Sequence, residues 1–103
     1  GSKTTERCLL FLVAQEQGYA LEISQAFGIS GTQVRRTLEK LEDADIIVGI
    51  DRGRTRLYSL NPRWFLFSEL KALLKKALTQ MPFDQQAKVF GVRKKPRKKN
   101  KPI

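Results

Sequence analysis

The stretch ALEISQAFGISGTQVRRTLEKLEDADIIVGIDRGRTRLYSL, residues 20–60, decides how this chain is read. Its opening, about Leu21–Phe27, sets Ile23, Ala26 and Phe27 on one side of a short helix. Gly28 follows, a residue suited to a left-handed helix cap. Ser30-Gly31-Thr32-Gln33 then fits a capping box: the Ser30 hydroxyl accepts from the Gln33 amide and the Gln33 side chain reaches back. From there a longer helix is expected over about 31–44, with Val34, Leu38 and Leu41 at i, i+4 and i+7 as its buried stripe. Ile46–Ile50 and Thr55–Leu60 are β-branched and apolar-rich, separated by Asp51-Arg52-Gly53-Arg54. Gly53 supplies the positive φ of a tight hairpin. Tyr58 and Leu60 alternate in phase, so their face is expected to pack on the helices.

A short helix, a glycine turn, a longer helix and a hairpin, in that order, predict a helix-turn-helix carrying a wing. At 100° per residue from the buried stripe, Thr32, Arg36, Glu39 and Asp43 point outward, with Gln33, Arg35 and Lys40 on the flanks. The basic end of the second helix comes first, and Glu42 and Asp43 lie at its far end. A helix entering a DNA groove by its N-terminus needs that polarity.

The placement of basic residues sharpens this expectation. No Lys or Arg occurs from Cys8 through Val34, and then Arg35, Arg36, Lys40, Arg52, Arg54 and Arg56 follow, confined to the second helix and the hairpin. Arg36 is the best placed for bidentate contact with guanine, a pairing worth about 1–3 kcal/mol of discrimination. Ser30, Thr32 and Gln33 are expected to bind DNA at the helix N-terminus, Thr32 and Gln33 through bases or through phosphates, where the dipole favours an anion. Arg35 lies sideways, suited to gripping the backbone. Arg52 and Arg54 at the wing tip suit a narrow minor groove or its phosphates. Arg56 has two readings, a DNA contact or an ion pair with Asp45 or Asp51. Lys40 also has two, a phosphate contact or plain solvation.

Outside residues 20–60 the chain supplies helices and charge. Thr4 or Thr5 is expected to cap a first helix running to about Gln17, stopped by Gly18. Its centre, CLLFLVA, is apolar on nearly all sides, which calls for burial on more than one side, with a second protomer as one candidate partner. Asn61-Pro62 is expected to start a long last helix, Asn as cap and Pro at its first position. Leu66, Leu70, Leu73, Leu74, Ala77 and Leu78 then form a stripe up to Met81-Pro82. Phe83, Ala87 and Phe90 suggest one more short helix. The predicted organisation is a domain over 1–90 followed by a basic, disordered tail over 91–103.

Composition bounds the function. The chain has 103 residues and a net charge of +10, but eight of its 20 basic residues lie in 88–103, where there is no acid. The body is therefore nearly neutral, and the tail reads as a solubilising end, a non-specific electrostatic arm or, less readily, a localisation signal. No run of 18 apolar residues exists, so no membrane partner is expected. The start at Gly1-Ser2 reads as the remnant of a cleaved tag. With no histidine and one cysteine, Cys8, there is neither an intrachain disulfide nor a Cys/His zinc site, and a reducing, cytoplasmic setting is expected. The same absence of nucleophile–base sets argues against an enzyme. No metal and no cofactor are expected.

Residues 6–80 resemble the prokaryotic winged helix-turn-helix transcriptional regulators of the broad ArsR/MarR-like group. The phrase LEISQAFGISGTQVRRTLEKLEDADII is similar to their helix, turn and recognition helix closing on Leu-Glu-x-Ala-Gly-Leu-Ile, and GRTRLYSLN resembles their wing strand. Where that pattern has glycine, this chain has Asp45, which can take the left-handed conformation at some cost. The resemblance implies a mainly α fold with a small β-hairpin wing and a long C-terminal helix. It further implies a sequence-specific regulator of double-stranded DNA, with the recognition helix at about 31–44 and the wing at about 46–60. Members of the group commonly dimerise through their first and last helices, which implies a homodimer using Leu66, Leu70, Leu73, Leu74 and Leu78, in the cytoplasm and associated with the nucleoid. Metal-sensing members need Cys, His or acidic clusters, and that property is not carried over. A non-specific architectural DNA-binding protein and a winged protein–protein module are the alternatives. Similar winged domains also precede nucleotidyltransferases, but no transferase activity follows for this chain.

Overall fold

The computed structural model describes residues 2–82, 84, 86 and 87. In chain order they form α1 (Ser2–Gln15), β1 (Gly18–Tyr19), α2 (Ala20–Phe27), α3 (Gly31–Asp43), β2 (Ile47–Arg52), β3 (Thr55–Leu60) and α4 (Phe67–Gln80). The three strands make one antiparallel sheet in the order β1-β3-β2. This is a winged helix-turn-helix, mainly helical, with a long last helix. Phe83, Phe90 and the charged segment 91–103 lie outside the described residues.

Helix α1 is the centre of the core. Cys8, Leu10, Phe11, Leu12 and Val13 are all buried, against α2, α3, β3 and α4 of the same chain. Each such large side chain contributes about 1.5–3 kcal/mol by leaving water. Its apolar circumference is thus covered within one protomer, and no second copy is needed to bury it. The expected cap is also corrected. The helix begins before Thr4, and the buried Thr4 hydroxyl instead accepts a bond from Gln33 Nε2 at 3.0 Å.

The stop of α1 is not Gly18 but Glu16, which takes a left-handed φ of 74°. Gly18 serves another purpose. It pairs with Tyr58 across β1 and β3, and a Cβ there would sit 2.6 Å from Cε1 of the fully buried Phe11. Backbone must approach that ring, and only glycine permits it.

The helix-turn-helix follows the sequence closely. Ile23 and Phe27 are buried, Ala26 packs beside them, and Gly28 closes α2 at φ 67°. Ser30 caps α3, its Oγ accepting from the Gln33 amide at 3.1 Å. The reciprocal half of the capping box is absent, because the Gln33 side chain goes to Thr4. Val34, Leu38 and Leu41 are buried as the stripe requires. Past α3, Asp45 adopts the left-handed φ of 65°, with its amide donating to the Glu42 carbonyl at 2.9 Å.

In the wing, β2 starts at Ile47 and runs on to Arg52, leaving a two-residue loop, Gly53-Arg54, between the paired Arg52 and Thr55. Gly53 has the expected positive φ, 64°. Tyr58 enters the core and Leu60 is half-buried against it. Leu57, on the opposite face, is buried too.

Asn61-Pro62 does not start the last helix. Asn61 Oδ1 accepts from the Arg63 amide at 3.0 Å and its Nδ2 donates to the Asp45 carbonyl at 2.8 Å. The side chain closes a local turn and ties the exit of β3 to the end of α3, so α4 begins only at Phe67. The leucine stripe of α4 divides: Leu74 is buried, Leu70, Ala77 and Leu78 pack against the core, and Leu66 and Leu73 stay exposed.

Candidate nucleic-acid interface

Helix α3 presents its polar side because its apolar stripe is locked into the core. Thr32, Arg36, Glu39, Lys40 and Asp43 are all exposed, as is Arg35 on the flank. Ser30, Thr32, Gln33, Arg36, Thr37 and Lys40 line a shallow depression of about 440 Å³ along the first turns. Within it the Thr37 hydroxyl is turned back to the Gln33 carbonyl, at 3.0 Å. The Gln33 side chain, held by Thr4, has less freedom to reach outward than the sequence suggests. Thr32, Arg36 and Lys40 remain as outward-reaching groups.

The wing adds a second basic element. Arg52 and Arg54 are exposed at its tip, and Thr55 Oγ1 donates to the Arg52 carbonyl at 2.9 Å, tightening the turn. Arg35 and Arg54 both line a cleft of about 470 Å³ that α2 and the wing enclose together. Among the described residues, Arg35, Arg36, Lys40, Arg52 and Arg54 have no ion-pair partner. Five uncompensated cations thus face solvent from two adjoining elements, a pattern suited to phosphates.

Arg56 differs. Its Nη2 meets Glu42 Oε2 at 2.5 Å, its Nε meets Oε1 at 3.2 Å, and its Nη1 meets Asp51 Oδ1 at 2.7 Å. These bonds, those to Glu42 first and that to Asp51 second, push the guanidinium further above its already high range. Asp51 is thus one of the two expected partners. Asp45 is not: its backbone turns away after α3, and Glu42, in the last turn of α3, takes its place. Tyr58 lies on the same face, its phenol pushed up by burial and then by the Glu42 charge.

Two participants escaped the sequence reading. Glu42 read as a solvated acid at the far end of the recognition helix, and only the packing of the wing makes it a partner. Gly49 lies mid-strand, and the Arg56 stem crosses its Cα closely enough that a side chain there would collide. A glycine inside a strand is itself a sign of such an approach.

Elsewhere, Cys8 lies on the buried side of α1, and burial pushes its thiol up to about 12. Among the described residues no three His, Cys, Asp or Glu gather as a metal-holding group. No helix among them is long and apolar enough to cross a membrane.

No family model matches this sequence, and no curated protein matches it. Solved structures do match its fold. The adhesin competence repressor AdcR of Streptococcus pyogenes superimposes with a TM-score of 0.54 at 15% identity, covering 92% of this chain and 79% of that one. A double mutant of ZitR from Lactococcus lactis, in its apo form, gives a TM-score of 0.55 at 19% identity, covering 92% and 80%. At these identities the likeness is one of fold.

Proposed function

We propose that this chain is a transcriptional regulator of the ArsR/MarR-like kind that binds double-stranded DNA with sequence preference. The observation carrying this reading is the placement of cations on the two elements a winged helix-turn-helix offers to DNA. Among the described residues, Arg35, Arg36, Lys40, Arg52 and Arg54 stand exposed and without an ion pair on α3 and the wing tip, while Arg56 is neutralised by two carboxylates. Further cations without an ion pair, Arg63, Lys71, Lys75 and Lys76 among them, lie at and before α4. In this reading α3 enters a major groove by its N-terminus. Ser30 and Thr32 meet phosphate there, Arg36 reads guanine, and Arg35 and Lys40 hold the backbone on either side. Arg52 and Arg54 rest on the neighbouring minor groove. Gln33 supports this arrangement from behind through Thr4, and Arg56 through the wing. A repressor, AdcR, is among the proteins sharing the fold, which favours the same broad role. The protein acts in the cytoplasm as a binding protein, not an enzyme.

The test is duplex binding by the full chain with Arg36→Ala and Arg54→Ala, against DNA selected from a random pool. Arg36→Ala is expected to lose about 1–3 kcal/mol of preference at one base pair. Arg54→Ala is expected to weaken all duplexes alike and to lower the salt slope by about one. Unchanged binding by both variants would remove the recognition-helix assignment.

A further inference from the structure

Arg56 stands on β3 directly across from Asp51 on β2, and its guanidinium bridges from that strand pair to Glu42 in the last turn of α3. One planar group therefore bonds all three elements that would face DNA. Its bond to Glu42 uses two nitrogens against two oxygens, the fork geometry that fixes orientation as well as distance. The ion pair is partly shielded, with side-chain exposures of 36% for Arg56 and 29% for Glu42.

The strand beneath is built to admit it. Gly49 lies under the Arg56 stem, and an added Cβ would run into Nε and the adjoining carbons. Gly49 has no positive φ, so conformational freedom does not explain it. Space does.

We propose that Arg56 is a positioning residue: with Gly49 kept bare beneath it, it clasps the wing to Glu42 and sets Arg52 and Arg54 at a fixed distance from α3. The consequence for DNA rests on the function proposed above; the clasp itself does not. Without the clasp the base of the wing keeps its core anchors, Ile47, Leu57 and Tyr58, while its tip is freer to move relative to α3, and ordering that tip on a groove then costs conformational entropy. The clasp also neutralises Glu42 and Asp51, two acids that would otherwise repel phosphate.

That last point separates positioning from plain electrostatics, because the two predict opposite signs. Glu42→Gln removes a negative charge and frees an arginine, so electrostatics alone demands tighter DNA binding. Positioning demands weaker binding, by about tenfold, within the range for coupled neighbours.

The experiment has a DNA-free arm and a DNA arm, both on the full chain. In the first, nitroxides are placed through Glu39→Cys on α3 and Arg54→Cys on the wing tip, leaving the buried Cys8 unlabelled. The distance distribution is expected to be narrow and to broaden with Glu42→Gln or Gly49→Ala. The two changes together should broaden it no further, since both break one contact. Arg56→Lys, which keeps charge without the fork, should broaden it as well and serves if Gly49→Ala fails to fold. Equal widths in all folded variants overturn the proposal. In the second arm, unlabelled Glu42→Gln should lose minor-groove protection beside the helix site and bind about tenfold more weakly. Tighter binding with the wing footprint intact overturns it. If the unaltered chain binds no duplex, the proposed function fails, and the distance distributions still decide the clasp.

Discussion

Identical side chains take opposite roles here according to what stands within 3 Å of them. Arg36 and Arg56 carry the same guanidinium, yet Arg36 faces solvent unpaired while Arg56 is held by Glu42 and Asp51. Cys8 shows the same dependence on surroundings. Its thiol is buried, and burial raises it to about 12. Neutral thiol is therefore favoured by folding, and the sign follows. Below the ordinary thiol range both states are protonated and the contribution is fully present. As pH climbs past that range the unfolded chain ionises first, and stability is lost until the folded thiol ionises too. Between pH 9 and 11 the loss attributable to Cys8 is about 2 kcal/mol. Urea unfolding across that window should show a steeper decline for the natural chain than for Cys8→Ala. Parallel declines would show that the buried thiol is not the titrating group.

At the scale of elements, α4 divides its leucines between two tasks. Leu74 is buried against α1, with Leu70 and Leu78 beside it, whereas Leu73 is 65% exposed and Leu66 39%. Phe65, just before the helix, is 81% exposed. We propose a homodimer formed on this outward face of α4, without α1, whose apolar sides are already covered. Sedimentation should then give a dimer for the full chain and a monomer for Leu73→Lys. The same mass for both would rule the face out. Elements also mark how far the sequence could be read. The helix-turn-helix was legible because its signals are local: Gly28, Ser30 and the Val34, Leu38, Leu41 stripe lie within one turn of what they control. The start of α4 was not, since Asn61 satisfies a carbonyl at Asp45, 16 positions earlier, and that partner exists only after folding. Of strand β1 only a brief extended link at Tyr19-Ala20 was legible, because two residues carry no alternation. Likewise Arg56 was recognised as a possible ion-pair former, but Glu42 could be found only from the way the wing leans on α3.

The whole molecule separates its charge into unlike parts. The net +10 includes eight basic residues in 88–103, while residues 1–87 hold 12 basic against 10 acidic. Within that nearly balanced body, five of the eleven described cations without an ion pair stand on α3 and the wing, and the core formed by α1, α2, α3, β2, β3 and α4 holds those two elements in place. If α3 and the wing are the interface, the fold alone must discriminate between DNA sequences, and residues 88–103 add only a general, salt-sensitive attraction. The most direct measurement is therefore duplex binding by a chain shortened to residues 1–87, on its selected site and on an unrelated duplex, over a salt series. Binding to both is expected to weaken and the salt slope to become shallower, with the preference for the selected site retained. Loss of that preference together with the charged segment would show that α3 and the wing do not read sequence.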